Sequence, residues 1–158
     1  MTDFFSRIIT QKRAEVAAIQ EQTSEDQLRK AAMKPRALRP FFGRLKEPGP
    51  GGINIIAEIK RASPSKGPIR PDLDPADFAK KYQKGGAAAL SVLTDHVHFG
   101  GSFEDLRTAK AAVDLPVLRK DFIVSSYQLY ESAVMGADAV LLIVKALAPN
   151  QLSSYLGL

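Results

Sequence analysis

Cysteine is absent from all 158 residues. That excludes disulfides and thiolate metal sites and agrees with a reducing compartment. Long hydrophobic runs are absent too: the longest, Ala139–Val144, is far below the roughly 20 apolar residues that span a bilayer. The opening Met-Thr-Asp-Phe-Phe-Ser-Arg lacks the basic and then apolar run of a signal peptide. A cytoplasmic protein that does not bind membranes is expected. Histidine is scarce: His96 and His98 share one loop, and no third ligand stands at a suitable spacing, so no metal site is expected. Neither a G-x-G-x-x-G run nor a P-loop lysine motif occurs, which weighs against a nucleotide-binding sheet. The formal net charge is +5, but the basic residues are scattered beside acids. Nucleic-acid binding therefore ranks last, behind a mixed surface biased toward anionic metabolites.

What is present is a repeat. Residues 3–20 carry an apolar helical stripe at Phe5, Ile8, Ile9, Val16 and Ile19. A second helix starts at Glu25 behind a Ser24/Gln27 capping box. The stretch from Pro35 to Gly52 reads as an irregular connector, with Phe41 and Phe42 as a packing plug. From residue 53 onward, apolar strands alternate with capped helices. Strands are expected at 53–60, 87–94, 116–122 and 137–144. Helices are expected after Asp74-Pro75, after Ser102 with Asp105 completing a capping box, after Ser125 with Gln128, and from Pro149. Continuous apolar strands joined by short crossovers indicate a buried parallel sheet. Both a doubly wound sheet and part of a (βα)₈ barrel fit, and the charged strand ends favour the barrel. The chain divides into a helical extension and connector, 1–52, and four βα units, 53–158.

Glu58 and Lys60 stand two residues apart at the end of the first strand, so their side chains share a face, with Ile55, Ala57 and Ile59 on the other. Lys120 ends the third strand and faces the same way as Leu118 and Phe122, while Arg119 and Asp121 face oppositely. In a parallel barrel the C-terminal strand ends hold the chemistry. Lysine suits a general acid or an anion anchor there. A structural Glu58–Lys60–Lys120 charge network is the competing reading, since buried charges pair regardless of function. For Ser63 and Ser65, flanking Pro64, spacing alone favours turn chemistry over substrate binding. Phe99 either stacks on a ligand ring or plugs the core. Tyr127 and Tyr130 read as packing residues.

These segments resemble indole-3-glycerol phosphate synthase. The resemblance is carried by Ile-Ile-Ala-Glu-Ile-Lys-Arg-Ala-Ser-Pro-Ser-Lys-Gly, Leu-Thr-Asp followed by Phe-Gly-Gly-Ser, Pro-Val-Leu-Arg-Lys-Asp-Phe-Ile and Ala-Asp-Ala-Val-Leu-Leu-Ile. It implies a TIM barrel and a carbon–carbon lyase of tryptophan biosynthesis that uses neither cofactor nor metal. The substrate is a phosphorylated small molecule, 1-(2-carboxyphenylamino)-1-deoxyribulose 5-phosphate. It closes a ring, loses CO₂ and then loses water. The resemblance makes Lys120 the acid and Lys60 the anion anchor and later proton donor. Glu58 would orient the lysines and assist the dehydration. Ser63 would touch substrate, and Phe99 and Phe122 would wall its ring.

A complete barrel of this kind takes about 250 residues. The resemblance thus reaches only the first four βα units, and the family's second-half glutamate, asparagine and phosphate site have no counterpart here. An incomplete enzyme is expected: a fragment of a longer enzyme, or a chain completed by self-association or by a second-half chain. The competing readings are an inactive half-barrel assembly module and another phosphosugar barrel such as phosphoribosylanthranilate isomerase.

Overall fold

The structure, a computed structural model, describes residues 3–158. Its chain order is α1 (Phe4–Gln22), α2 (Glu25–Ala32), α3 (Phe41–Lys46), β1 (Ile56–Ile59), a hairpin of β2 (Ala62–Ser63) and β3 (Gly67–Pro68), α4 (Pro75–Lys84), β4 (Ala89–Leu93), α5 (His96–Phe99), α6 (Phe103–Ala112), β5 (Val117–Lys120), α7 (Ser126–Met135), β6 (Ala139–Val140) and α8 (Pro149–Leu156). The contacts divide it into two compact units. One gathers the chain up to Pro35 with Phe122–Val134 and Leu141–Leu158; the other holds Arg36–Asp121 and Met135–Val140.

The second unit contains a parallel sheet in the order β1-β4-β5-β6, the parallel α/β arrangement expected from the repeat. One face of the sheet carries Ala57, Ile59, Leu90, Val92 and Val117. These pack with Ala79 of α4 and Leu106 and Ala109 of α6 in one apolar cluster. The register sets Glu58 beside Ser91, Ser91 beside Leu118, and Leu93 beside Lys120, so these residues share the opposite face. The helices start where their caps require. Asp74 accepts from the Ala76 amide with Pro75 at the first helical position, and Ser102 accepts from Asp105 N.

The base of this sheet is tied by Asp138. Its carboxylate accepts from Arg39 N at 2.8 Å, Val117 N at 2.8 Å and Lys110 Nζ at 2.6 Å. The Arg39 guanidinium donates to the carbonyls of Leu115 and Lys110. Burial pushes the Lys110 ammonium below its ordinary value. Asp138 opposes that shift, while Arg39 and Arg36 add to it.

The first unit has its own core of Ile9, Val16, Val124, Tyr127, Ala146 and Leu147, with Phe5, Leu28 and Phe122 packed against it. Asp3 caps α1 through Phe5 N, and the Ser24/Gln27 capping box of α2 is complete. Tyr127 is 2% exposed, as its packing role requires.

Several local expectations are corrected. The connector contains the short helix α3, and Phe42 is exposed rather than a plug. The first strand begins only at Ile56, and Ile53 and Ile55 are exposed. Among the described residues β1 pairs only with β4, so its start is covered on one side alone. The fourth strand is the short β6; the chain then turns into a 3₁₀ segment, Val144–Ala146. The Ser102/Asp105 box is half formed, because the Asp105 carboxylate is taken by Arg61. No helix among the described residues is long and apolar enough to cross a membrane.

Candidate active site

Glu58 lies next to the last residue of β1 and Lys60 directly after the strand, so alternation sends both to the face away from the helices. Lys120, the last residue of β5, joins them from the other side of β4. Two interstrand spacings are about 10 Å. The long Lys120 arm and the Glu58 side chain close that gap over the intervening strand. Lys60 Nζ is 2.6 Å from Glu58 Oε1, and Lys120 Nζ is 2.9 Å from Oε2. One carboxylate thus holds two ammonium groups, one on each oxygen.

The three side chains are about one-third exposed, open enough to meet a solute. Burial pushes the Glu58 carboxyl upward, but hydrogen bonds from Lys60 and Lys120 outweigh it and hold the group below its ordinary value. The cluster carries one surplus positive charge at neutral pH, which suits an anionic substrate. Two ammonium groups supply N–H donors, and Glu58 fixes where they point.

The loop after β1 is braced. The Arg61 guanidinium makes a bidentate pair with Asp105, both contacts at 2.9 Å, and donates to the Pro71 carbonyl. The Arg61 carbonyl accepts from the amides of Ile69 and Arg70. Within the hairpin, Ser63 Oγ accepts from Lys66 N at 3.2 Å and lies 3.5 Å from Ser65 Oγ, the turn chemistry its spacing suggested. After β4, Phe99 is half-buried at the end of α5. Gly100 takes a left-handed φ of 64°. A Cβ on Gly101 would stand 2.2 Å from the Leu93 carbonyl oxygen. The Gly-Gly pair is therefore required by this turn.

Of the sequence candidates, Glu58, Lys60 and Lys120 come together. Ser63 sits in the hairpin that follows β1 and Phe99 at the end of α5, which follows β4, both in the same unit. Phe122 belongs to the other unit, where its ring meets Phe5 edge-on at 6.3 Å. Sequence reasoning took Asp105 only as a cap and Arg119 and Asp121 only as facing away from Lys120; it passed over Arg61 and Thr94 and the pairings all of these make. The signal was available: Arg119 and Asp121 alternate onto an otherwise apolar face, where charges must pair. No group of three or more metal-ligating side chains occurs among the described residues.

The family model for indole-3-glycerol phosphate synthase matches residues 5–156. The chain belongs to the indole-3-glycerol phosphate synthase family. Relatives bearing that name are similar along its whole length: 53% identical over 158 residues in Syntrophobacter fumaroxidans, covering 100% of this chain and 60% of the relative; 52% in Desulfosudis oleivorans, with the same coverages; and 49% in Neisseria meningitidis, covering 98% of this chain and 60% of the relative. The chain thus spans about 60% of the length of the curated relatives it matches. The indole-3-glycerol phosphate synthase family is a TIM-barrel family, and the four-stranded parallel sheet is consistent with part of such a barrel.

Proposed function

We propose that this chain supplies the catalytic lysines of an indole-3-glycerol phosphate synthase. The reaction closes the ring of 1-(2-carboxyphenylamino)-1-deoxyribulose 5-phosphate, with loss of CO₂ and then of water. The observation that carries the reading is the Glu58 carboxylate shared between Lys60 and Lys120. The aryl carbon bearing the carboxylate attacks the ketose carbonyl. As that bond forms, Lys120 donates a proton to the carbonyl oxygen and makes it a hydroxyl. The carboxylate leaves as CO₂, and its bonding electrons restore the adjacent π system. The new hydroxyl then leaves as water, taking one proton from Lys60, while the adjacent ring CH₂ gives one proton to Glu58 and the indole becomes aromatic. Glu58 orients both ammonium groups and relays protons between them. Fixed charges at a strand end do this without reorganising at the moment of reaction.

Lys60 also anchors the anionic end of the substrate. Ser63 supplies a hydroxyl contact, and Phe99 is a ring contact. Residues 1–52 act as the helical extension and 53–158 as the first four βα units. The remaining strands come from a second-half segment or a second copy of the chain. The enzyme works in the cytoplasm.

The test is formation of indole-3-glycerol phosphate, followed by product fluorescence. The purified chain is assayed alone and mixed with the remaining segment of the Syntrophobacter fumaroxidans relative. Turnover in either case supports the proposal. No turnover in both, with well-folded chains that associate, contradicts it and leaves the assembly-module reading.

A further inference from the structure

Behind Lys120, on the helix-covered face, lies a charged group that the reaction does not use. Arg119 and Asp121 flank Lys120 in sequence, and each side chain is 2% exposed. Arg119 Nη2 is 2.9 Å from Asp121 Oδ2, and Arg119 Nε donates to Thr94 Oγ1 at 3.1 Å. The Thr94 hydroxyl donates to the same Asp121 oxygen at 2.6 Å. The Arg119 guanidinium also stacks 4.9 Å over the Phe103 ring. On the backbone, Thr94 N donates to the Lys120 carbonyl at 3.0 Å.

Two buried charges could be replaced by apolar residues of similar volume with little loss of stability. Their placement matters more than their pairing. The ion pair bridges residues i−1 and i+1 around Lys120, restraining the backbone dihedrals on both sides of it. Thr94 fastens that bridge to the end of the neighbouring strand. Lys120 is the last residue of β5 and the last that the β4 ladder pairs, so among the described residues nothing in the sheet holds the chain beyond it.

We infer that Thr94, Arg119 and Asp121 are positioning residues that aim Lys120 at Glu58 Oε2 and at the reacting carbonyl. The inference rests on the proposed role of Lys120. The group touches no substrate: it acts through the Lys120 backbone, and Lys120 in turn through its contact with Glu58.

The test reads Glu58, whose carboxylate accepts from Lys60 and Lys120 alone among the described residues. Its titration is followed by carboxyl ¹³C NMR in the full chain and in Lys120→Ala, Thr94→Val, Thr94→Ser and Asp121→Asn. Lys120→Ala is expected to raise the Glu58 titration toward the ordinary carboxylate range. Thr94→Val and Asp121→Asn are expected to raise it part of the way, and Thr94→Ser, which keeps the hydroxyl, to leave it at the wild-type position. In the turnover-competent form, Thr94→Val is expected to lower kcat about tenfold or more with KM nearly unchanged, as misplacement by a fraction of an ångström does. Folded Thr94→Val and Asp121→Asn proteins with a wild-type Glu58 titration would overturn the inference. A Lys120→Ala protein with an unmoved Glu58 titration would instead overturn the site reading on which it rests.

Discussion

Replacing Asp138 by alanine is expected to destabilise the sheet-bearing unit by about 4 kcal/mol. The Asp138 side chain is fully buried and the Lys110 side chain is 17% exposed. The substitution strands three donors at once: the amides of Arg39 and Val117 and the Lys110 ammonium. A buried donor left without an acceptor costs about 1–3 kcal/mol, and a charged one more. Taking about 1 kcal/mol for each half-covered amide and about 2 kcal/mol for the ammonium gives the stated loss, within the range for breaking a buried ion pair from one side. That is a large part of the 5–15 kcal/mol that typically holds a domain. Urea unfolding followed by circular dichroism should show a lower midpoint at unchanged slope. Adding Lys110→Met removes the stranded ammonium and should recover about 1–2 kcal/mol, a coupling that only contacting residues show. An Asp138→Ala protein within 1 kcal/mol of wild type would refute the reasoning, as would strict additivity with Lys110→Met.

The remaining predictions concern the site, the second core and one turn. The Glu58 carboxyl is held below its ordinary value, so the folded state binds fewer protons than the unfolded chain in mild acid. The stability it contributes is complete above the unfolded value near 4.5 and is lost as pH falls through the lower folded value. The gap in urea midpoint between wild type and Glu58→Gln should therefore shrink below about pH 4.5; a gap that widens on acidification would contradict this. Burial and the nearby Glu131 charge raise the Tyr127 phenol, so its contribution is present below its unfolded value near 10 and lost as pH climbs toward the folded one. In absorbance titration, Tyr127→Phe should remove a late-ionising component. Gly101→Ala places a methyl 2.2 Å from the Leu93 carbonyl oxygen and should lower stability by about 2 kcal/mol or more, since backbone rather than a flexible side chain must yield. Equal melting temperatures would contradict it.

The parts of this fold that were legible in the sequence are those set by local chemistry. Ser24, Asp74 and Ser102 announce helix starts because an unpaired helical amide needs a nearby side-chain oxygen. Alternation along β1 and β5 was enough to place Glu58, Lys60 and Lys120 on one face. What stayed hidden depends on long-range partners. Asp105 looked like the second half of a capping box, yet Arg61, 44 residues away, takes its carboxylate. The stretch 137–144 looked like a full strand, but among the described residues its register with β5 covers Ala139 and Val140, with Asp138 N reaching the Val117 carbonyl. Pairing requires a partner of matching length, which no single segment specifies. The hairpin after β1 and the short helix after β4 escaped notice because two to four residues carry no periodicity.

The central claim is that Lys120 is the acid of the ring closure, and steady-state kinetics of Lys120→Ala in the turnover-competent form tests it most directly. A positioned general acid contributes about 10²–10⁴-fold. The expected result is a fall of that size in kcat, with KM little changed and the protein folded. A variant that keeps kcat within tenfold of wild type would contradict the account.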